Sequence, residues 1–239
     1  RARRQVDVVK VMASGGMNTA GTDVMRTQFS VAEMTLLVDR AHAAGLPVTA
    51  HAHGLPAVMQ AIDVGADGIE HCSCLTDKGV ELSLELADRL AASKVVIGGF
   101  IPVPPITDLS QAPPGIREMM QKTGLTPERL TQMRLTWLGR LIGSGVRLTT
   151  GPDSGINAYV QHGHLHKAVK FLVDAGASHQ QALAGATSVA AQACSVDDRK
   201  GLLRAGYDSD VLVVNGDLQE DVGALAAVRT VILGGSIVS

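Results

Sequence analysis

Aromatic residues are scarce in this 239-residue chain: one Trp, two Tyr and three Phe, 3% in all. A surface that stacks nucleic-acid bases needs more. Charge is sparse too. Asp, Glu, Lys and Arg make up 18% and the formal net charge is -2, so neither a nucleic acid nor an anionic membrane is expected as a partner. The cysteines are three, Cys72, Cys74 and Cys194, with no C-x-x-C pair among them. An odd set of this kind is no disulfide framework and points to a reducing, cytoplasmic compartment. No apolar run is long enough to span a bilayer, and no signal peptide is visible. Composition fixes no oligomeric state; a homo-oligomer is compatible with it.

Apolar residues and glycine are plentiful. Hydrophobic residues reach 46%, ample for a buried core, and 26 glycines suit many tight strand-to-helix turns. The chain begins with Arg1, and an apolar run, Val6–Met12, follows almost at once. A natural N-terminus rarely lies so close to a buried strand, so the chain is expected to be the C-terminal part of a longer protein.

Short β-type runs alternate with longer helical ones. Val6–Met12 reads as a nearly continuous apolar strand, the pattern of parallel strands covered on both faces. Ser30 and Glu33 form a capping box, and the helix behind it puts Val31, Met34, Val38 and Ala41 on one face before Gly45. Further strands are expected at Pro47–Ala50, Gly68–Glu70, Val95–Phe100 and Val146–Thr150. Helices are expected over Leu55–Val64, Leu82–Ala92, Thr126 to about Ser144, Leu165–Ala175 and His179–Thr187. Ile101–Pro114 holds five prolines and reads as an ordered loop or lid. Asp210–Val214 and Val228–Leu233 are strands without helical crossovers, which suggests a small β annex.

Repeated β-α units mean a parallel sheet, either doubly wound or closed as a (β/α)8 barrel. Ala13-Ser14-Gly15-Gly16 does not fit G-x-G-x-x-G, and no Walker pattern is present. Instead, Lys10, His51, His71 and Asp153 each stand at or near the end of their own strand. The C-terminal face of a barrel is where chemistry is built. Taken singly, a histidine at a strand end is more often a packing residue, and Asp153 could cap a loop. Lys10 is harder to dismiss, because a buried ammonium must be paired, neutral or modified. Four such residues together read as ligands of a zinc-type site.

The strings that carry these residues are Val9-Lys10-Val11-Met12-Ala13-Ser14-Gly15-Gly16, Thr49-Ala50-His51-Ala52-His53-Gly54, Ile69-Glu70-His71-Cys72 and Thr150-Gly151-Pro152-Asp153-Ser154-Gly155. In that order they resemble strands four, five, six and eight of the binuclear, carboxylated-lysine branch of the amidohydrolase superfamily. The nearest resemblance is to prolidase-like and Xaa-Arg metallocarboxypeptidases and to ochratoxin-cleaving amidases. Ala182–Thr187, Gly201 and Gly206-Tyr207-Asp208-Ser209-Asp210 resemble the superfamily's closing helix and its return to the β annex. The resemblance implies an amidohydrolase-type TIM barrel, here strands four to eight over residues 1–195, with part of a β-sandwich annex over 196–239.

It also implies two zinc ions bridged by Lys10, carboxylated by CO2. His51 and His71 would bind the second metal and Asp153 the first. A hydroxide bridging the metals would attack a C–N bond in an N-acyl amino acid or dipeptide, with Asp153 moving its proton to the leaving amine. His53 stands where relatives carry a His or Tyr beside the substrate carbonyl. Two departures stand out. The family's strand-one His-x-His pair is absent upstream of Lys10, and Cys72 replaces the usual Gly or small residue after the strand-six histidine. His162, His164 and His166 imitate a ligand pair but are expected to be surface or substrate-loop residues. Two alternatives stay open: a mononuclear, imidazolonepropionase-like cyclic amidohydrolase or deaminase, and a truncated chain without activity.

Overall fold

The computed structural model describes residues 6–99, 112–155 and 161–239. Two compact units are present: residues 1–98 with 103–147, and residues 99–102 with 148–239.

The first unit is a parallel α/β layer. Its strands are β1 (Val9–Met12), β2 (Val48–Gly54), β3 (Gly68–Thr76), β4 (Gly79–Val80) and β5 (Val96–Gly98). The order is β1-β2-β3-β5, all neighbours parallel, with β4 folded back antiparallel on β3. Parallel neighbours need a crossover, and helices supply it: α1 (Val31–His42) joins β1 to β2, and α2 (Leu55–Asp63) joins β2 to β3. Helix α3 (Leu84–Ala92) precedes β5, and α4 (Pro114–Thr123) and α5 (Pro127–Gly143) follow it. Ser30 accepts from the Glu33 amide while the Glu33 carboxylate accepts from the Ser30 amide, so the expected capping box starts α1. Its buried face is Met34, Val38 and Ala41; Val31, expected there, is exposed. Val48, Ala50, Ile69 and Ile97 fill the sheet core with no exposed surface.

Several expectations are corrected. Strand β1 starts at Val9, and Lys10 and Met12 are exposed, not covered on both faces. Among the described residues β1 pairs with β2 alone, so nothing covers its outer side. The sheet is open among these residues, and the barrel is not seen closed. Strands β2 and β3 run further than expected, through the histidines, and carry them as strand residues. Helix α4 was hidden by the prolines before it, although Pro114 stands at its first turn, where proline is tolerated. The rest of the proline-rich loop, up to residue 111, lies outside the described residues.

The short strand β6 (Arg147–Leu148) marks the boundary between the units. The second unit holds α6 (Leu165–Asp174), α7 (His179–Ala186), α8 (Ser188–Ala193) and a three-stranded antiparallel sheet, β7 (Val211–Val214), β8 (Val228–Leu233) and β9 (Ser236–Ile237). Ion pairs from Arg199 and Lys200 to Asp208, and from Lys200 to Asp210, tie the segment that leads into β7. Among the described residues no helix is long and apolar enough to cross a membrane.

Candidate metal centre

A strand points successive side chains to opposite faces, so His51 and His53 on β2 share one face. The parallel register pairs Lys10 with Thr49 and Met12 with His51, which puts Lys10 on that face, one pleat before His51. On β3 the register pairs Glu70 with His51 and His71 with Ala52. A regular strand would therefore send His71 to the opposite face, with Ala52. It does not stay regular. His71 has φ 70°, Cys72 45° and Cys74 50°, all left-handed, and the next paired residues are Gly54 and Leu75. Four residues of β3 thus oppose two of β2. This bulge turns the His71 ring toward His51 and His53. Non-glycine residues held left-handed cost on the order of 1–2 kcal/mol each, and such strain collects at functional sites.

The result is a cluster of three imidazoles. Ring centroids lie 4.6 Å apart for His51–His53, 4.9 Å for His51–His71 and 4.6 Å for His53–His71. The three are only 7, 5 and 8% exposed, in the order His51, His53, His71. One nitrogen from each lies within 4.8 Å of the other two. Zinc–nitrogen bonds of about 2.0–2.1 Å place tetrahedral ligand atoms roughly 3.3 Å apart, so modest side-chain rotations would close the cluster on one ion. The donor set fits a divalent metal of the zinc type.

The loop after β1 braces the cluster. The Ala13 and Ser14 amides both donate to the His51 carbonyl. The buried Ser14 hydroxyl donates to the Gly15 carbonyl and accepts from the His53 amide. His51 Nε2 lies 3.3 Å from the Gly15 carbonyl. A carbonyl only accepts, so in this contact Nε2 is the donor. His53 Nδ1 lies 2.9 Å from the Ser73 hydroxyl. Burial holds His53 well below the usual imidazole pKa, and the neighbouring His71, His51 and Arg134 add to the effect, so the ring is neutral near pH 7. The Cys72 thiol is pushed well up by its hydrogen bond with Cys74 and by burial. It is a protonated, buried filler, as its small size suggests.

Gly54, just beyond His53, has no room for a side chain: a Cβ there would lie 2.4 Å from the Met25 carbonyl oxygen. Gly54→Ala is expected to push this loop off β2 and lower stability by about 1–3 kcal/mol, the usual range for overpacking. An unchanged thermal midpoint would show that the loop yields freely.

Asp153 belongs to the second unit. It is half-buried and left-handed at φ 54°. The segment before it is pinned: the Thr150 amide donates to the Gly185 carbonyl and its hydroxyl to Ala182, both on α7. His162 is exposed, and His164 and His166 are half-buried with rings 5.7 Å apart, at the start of α6. Lys10, expected to be buried, is the exposed member of the proposed set. Ser14, Ser73 and the bulge of β3 were not anticipated. Ser73 follows a histidine at i+2, which is the one signal that could have found it.

The chain is 29% identical over 226 residues to ochratoxinase of Aspergillus niger, a match covering 92% of this chain and 43% of that protein. The crystal structure of that ochratoxinase superposes with a TM-score of 0.78 at 27% identity, covering 98% of this chain and 51% of the other. A putative prolidase from Bifidobacterium longum gives a TM-score of 0.77 at 26% identity, covering 99% and 56%. A Xaa-Pro dipeptidase with bound methionine shares the fold at 24% identity, with a TM-score of 0.78 and coverage of 98% and 55%. The chain thus spans about half the length of these relatives. The sequence model of the amidohydrolase family matches residues 1–238, and the chain belongs to that family.

Proposed function

We propose that the protein hydrolyses a C–N bond, in the amide of an N-acyl amino acid or a dipeptide, at a centre whose ligands are Lys10, His51, His71 and Asp153. The observation that carries this reading is the buried imidazole cluster on two adjacent parallel strands. Similarity to proteins named as an ochratoxinase and a prolidase supports a small amide substrate. A divalent metal, when bound here, would supply Lewis-acid chemistry to the scissile carbonyl and to the attacking water. His51 and His71 would hold the ion. The Asp153 carboxylate takes up the proton of the attacking water and returns it to the departing nitrogen. His53 stands beside the substrate carbonyl by resemblance. Lys10 shares the face of His51, and as a carbamate it would present two anionic oxygens where an ammonium has no lone pair.

The exposure of Lys10 favours a second reading, a single-metal enzyme acting on cyclic amides or as a deaminase. Metal content and turnover separate the two. In the full-length protein the binuclear reading expects two divalent ions, turnover of an N-acyl amino-acid and dipeptide panel that a chelator abolishes, and loss of most bound metal and activity in Lys10→Ala. One ion in the full-length protein, with normal metal in Lys10→Ala, selects the mononuclear reading. Turnover that survives complete chelation removes both.

A further inference from the structure

We infer that Arg134 is a specificity residue of the proposed reaction: its guanidinium takes the free carboxylate of the substrate, on the carbon next to the departing nitrogen. The inference rests on the amide-hydrolase reading above and names what that substrate must carry. Three observations place Arg134, all within one compact unit. It stands on the inward stripe of α5, in line with the buried Leu130, Trp137, Leu138 and Leu141, at the three-, four- and seven-residue spacings of one helix face. Helix α5 packs on the hairpin that continues from the bulge of β3. A Cβ on Gly79, which opens β4, would lie 2.7 Å from the Met133 methyl carbon and 2.8 Å from a Leu125 methyl carbon. The Arg134 charge also acts on His53, where it helps to hold the imidazole pKa down. Such an effect weakens with separation, so the guanidinium end is directed toward the histidines rather than away from them.

The position suits an N-acyl amino acid or a dipeptide. The carboxylate of such a substrate is three bonds from the scissile carbonyl carbon, across the departing nitrogen. His53 stands beside that carbonyl in the reading above, so a cation directed at His53 is also directed at the carboxylate. Among the groups that act on His53, Arg134 alone carries a permanent charge. A guanidinium is a planar fork that meets a carboxylate with two parallel hydrogen bonds. Burial draws the Arg134 pKa down by stripping its hydration, and a guanidinium so stripped gains more from an anion than one in water. Arg134 touches no reacting atom. It orients the substrate, so that the scissile carbonyl is presented one way round. A simple amide lacks the group that makes this contact, and the difference sets the preference.

The test pairs substrates in the full-length protein. Each N-acetyl-L-amino acid is run against the N-acetyl amine that has hydrogen in place of the carboxylate. The parent is expected to favour the acid in kcat/KM. In Arg134→Met the acid should lose about 10–100-fold, the effect of a charged hydrogen bond, and the matched amine much less, so the preference collapses. Arg134→Lys keeps the charge without the fork and should fall between the two. A packing role would lower both members of a pair together, and that result overturns the inference, as does a parent indifferent to the carboxylate. Thermal melts control for folding. If Arg134→Met unfolds, the Lys variant decides, and an undiminished preference there overturns the inference. Failure of the amide reading shows separately. If no amide is turned over, that reading is refuted, and calorimetry with the free L-amino acids and the corresponding amines answers for Arg134. Tighter binding of the acid, lost in Arg134→Met, upholds the carboxylate contact; equal binding of acid and amine overturns it.

Discussion

In the full-length protein, Asp153→Asn is expected to lower kcat by a factor on the order of 10²–10⁴ while leaving much of the bound metal in place. That range is the usual contribution of a positioned acid–base group. Asparagine keeps the shape of the side chain and one oxygen that could still ligate, but it cannot accept a proton from water and hand it on. The local backbone makes the comparison clean. Asp153 is left-handed at φ 54°, and Asn is the residue that tolerates this region almost as well as Asp. The Thr150 bonds to α7 lie upstream and are untouched by the change. Metal stoichiometry should be measured beside kcat on the substrate panel. Parent-like turnover in a fully metallated Asn variant would take Asp153 out of the mechanism.

His71→Gly is expected to weaken zinc binding about 10²–10³-fold with a much smaller effect on the metal-free fold. Zinc in four-ligand protein sites binds with about 10–16 kcal/mol, so one ligand accounts for roughly 3–4 kcal/mol, which is that factor in affinity. Glycine is the informative replacement. At φ 70° it relieves on the order of 1–2 kcal/mol of backbone strain, which offsets part of the packing lost with the ring. His71→Ala loses the ring and keeps the strain, so it should melt below His71→Gly when both are metal-free. Equal zinc affinity in the parent and the glycine variant would remove His71 from the centre.

Much of the layer was legible because its signals are local. A Ser three residues before a Glu announced α1, and apolar spacing marked its buried face. Period-two alternation puts His51 and His53 on one face only because β2 runs on through them, past the Ala50 end its sequence suggested. What was not legible depends on partners. The arrival of His71 beside them requires a left-handed turn inside β3, and a strand-like sequence gives no sign that alternation will break there. The apolar neighbours of Lys10 suggested burial, yet they say nothing of which element covers a strand; β1 has one described partner, and Lys10 is open. Pro114 read as loop chemistry because prolines crowd before it, while at a helix's first turn the same residue starts a helix.

The bulge between His71 and Leu75 has a further consequence, for hydrogen exchange. The ladder between β2 and β3 is regular through His71 and resumes at Leu75, so the segment between lacks a regular pairing with β2. Such a stretch can open locally without unfolding the sheet. Its amides should therefore exchange faster than those of Ile69 or Ala50, although Cys72 and Cys74 are just as buried. An ion bound by the rings on either side of the opening would have to leave before the segment could move. Ligand release and local unfolding would then be one event, and the exchange rate of the Cys72–Cys74 amides would report how long the metal stays.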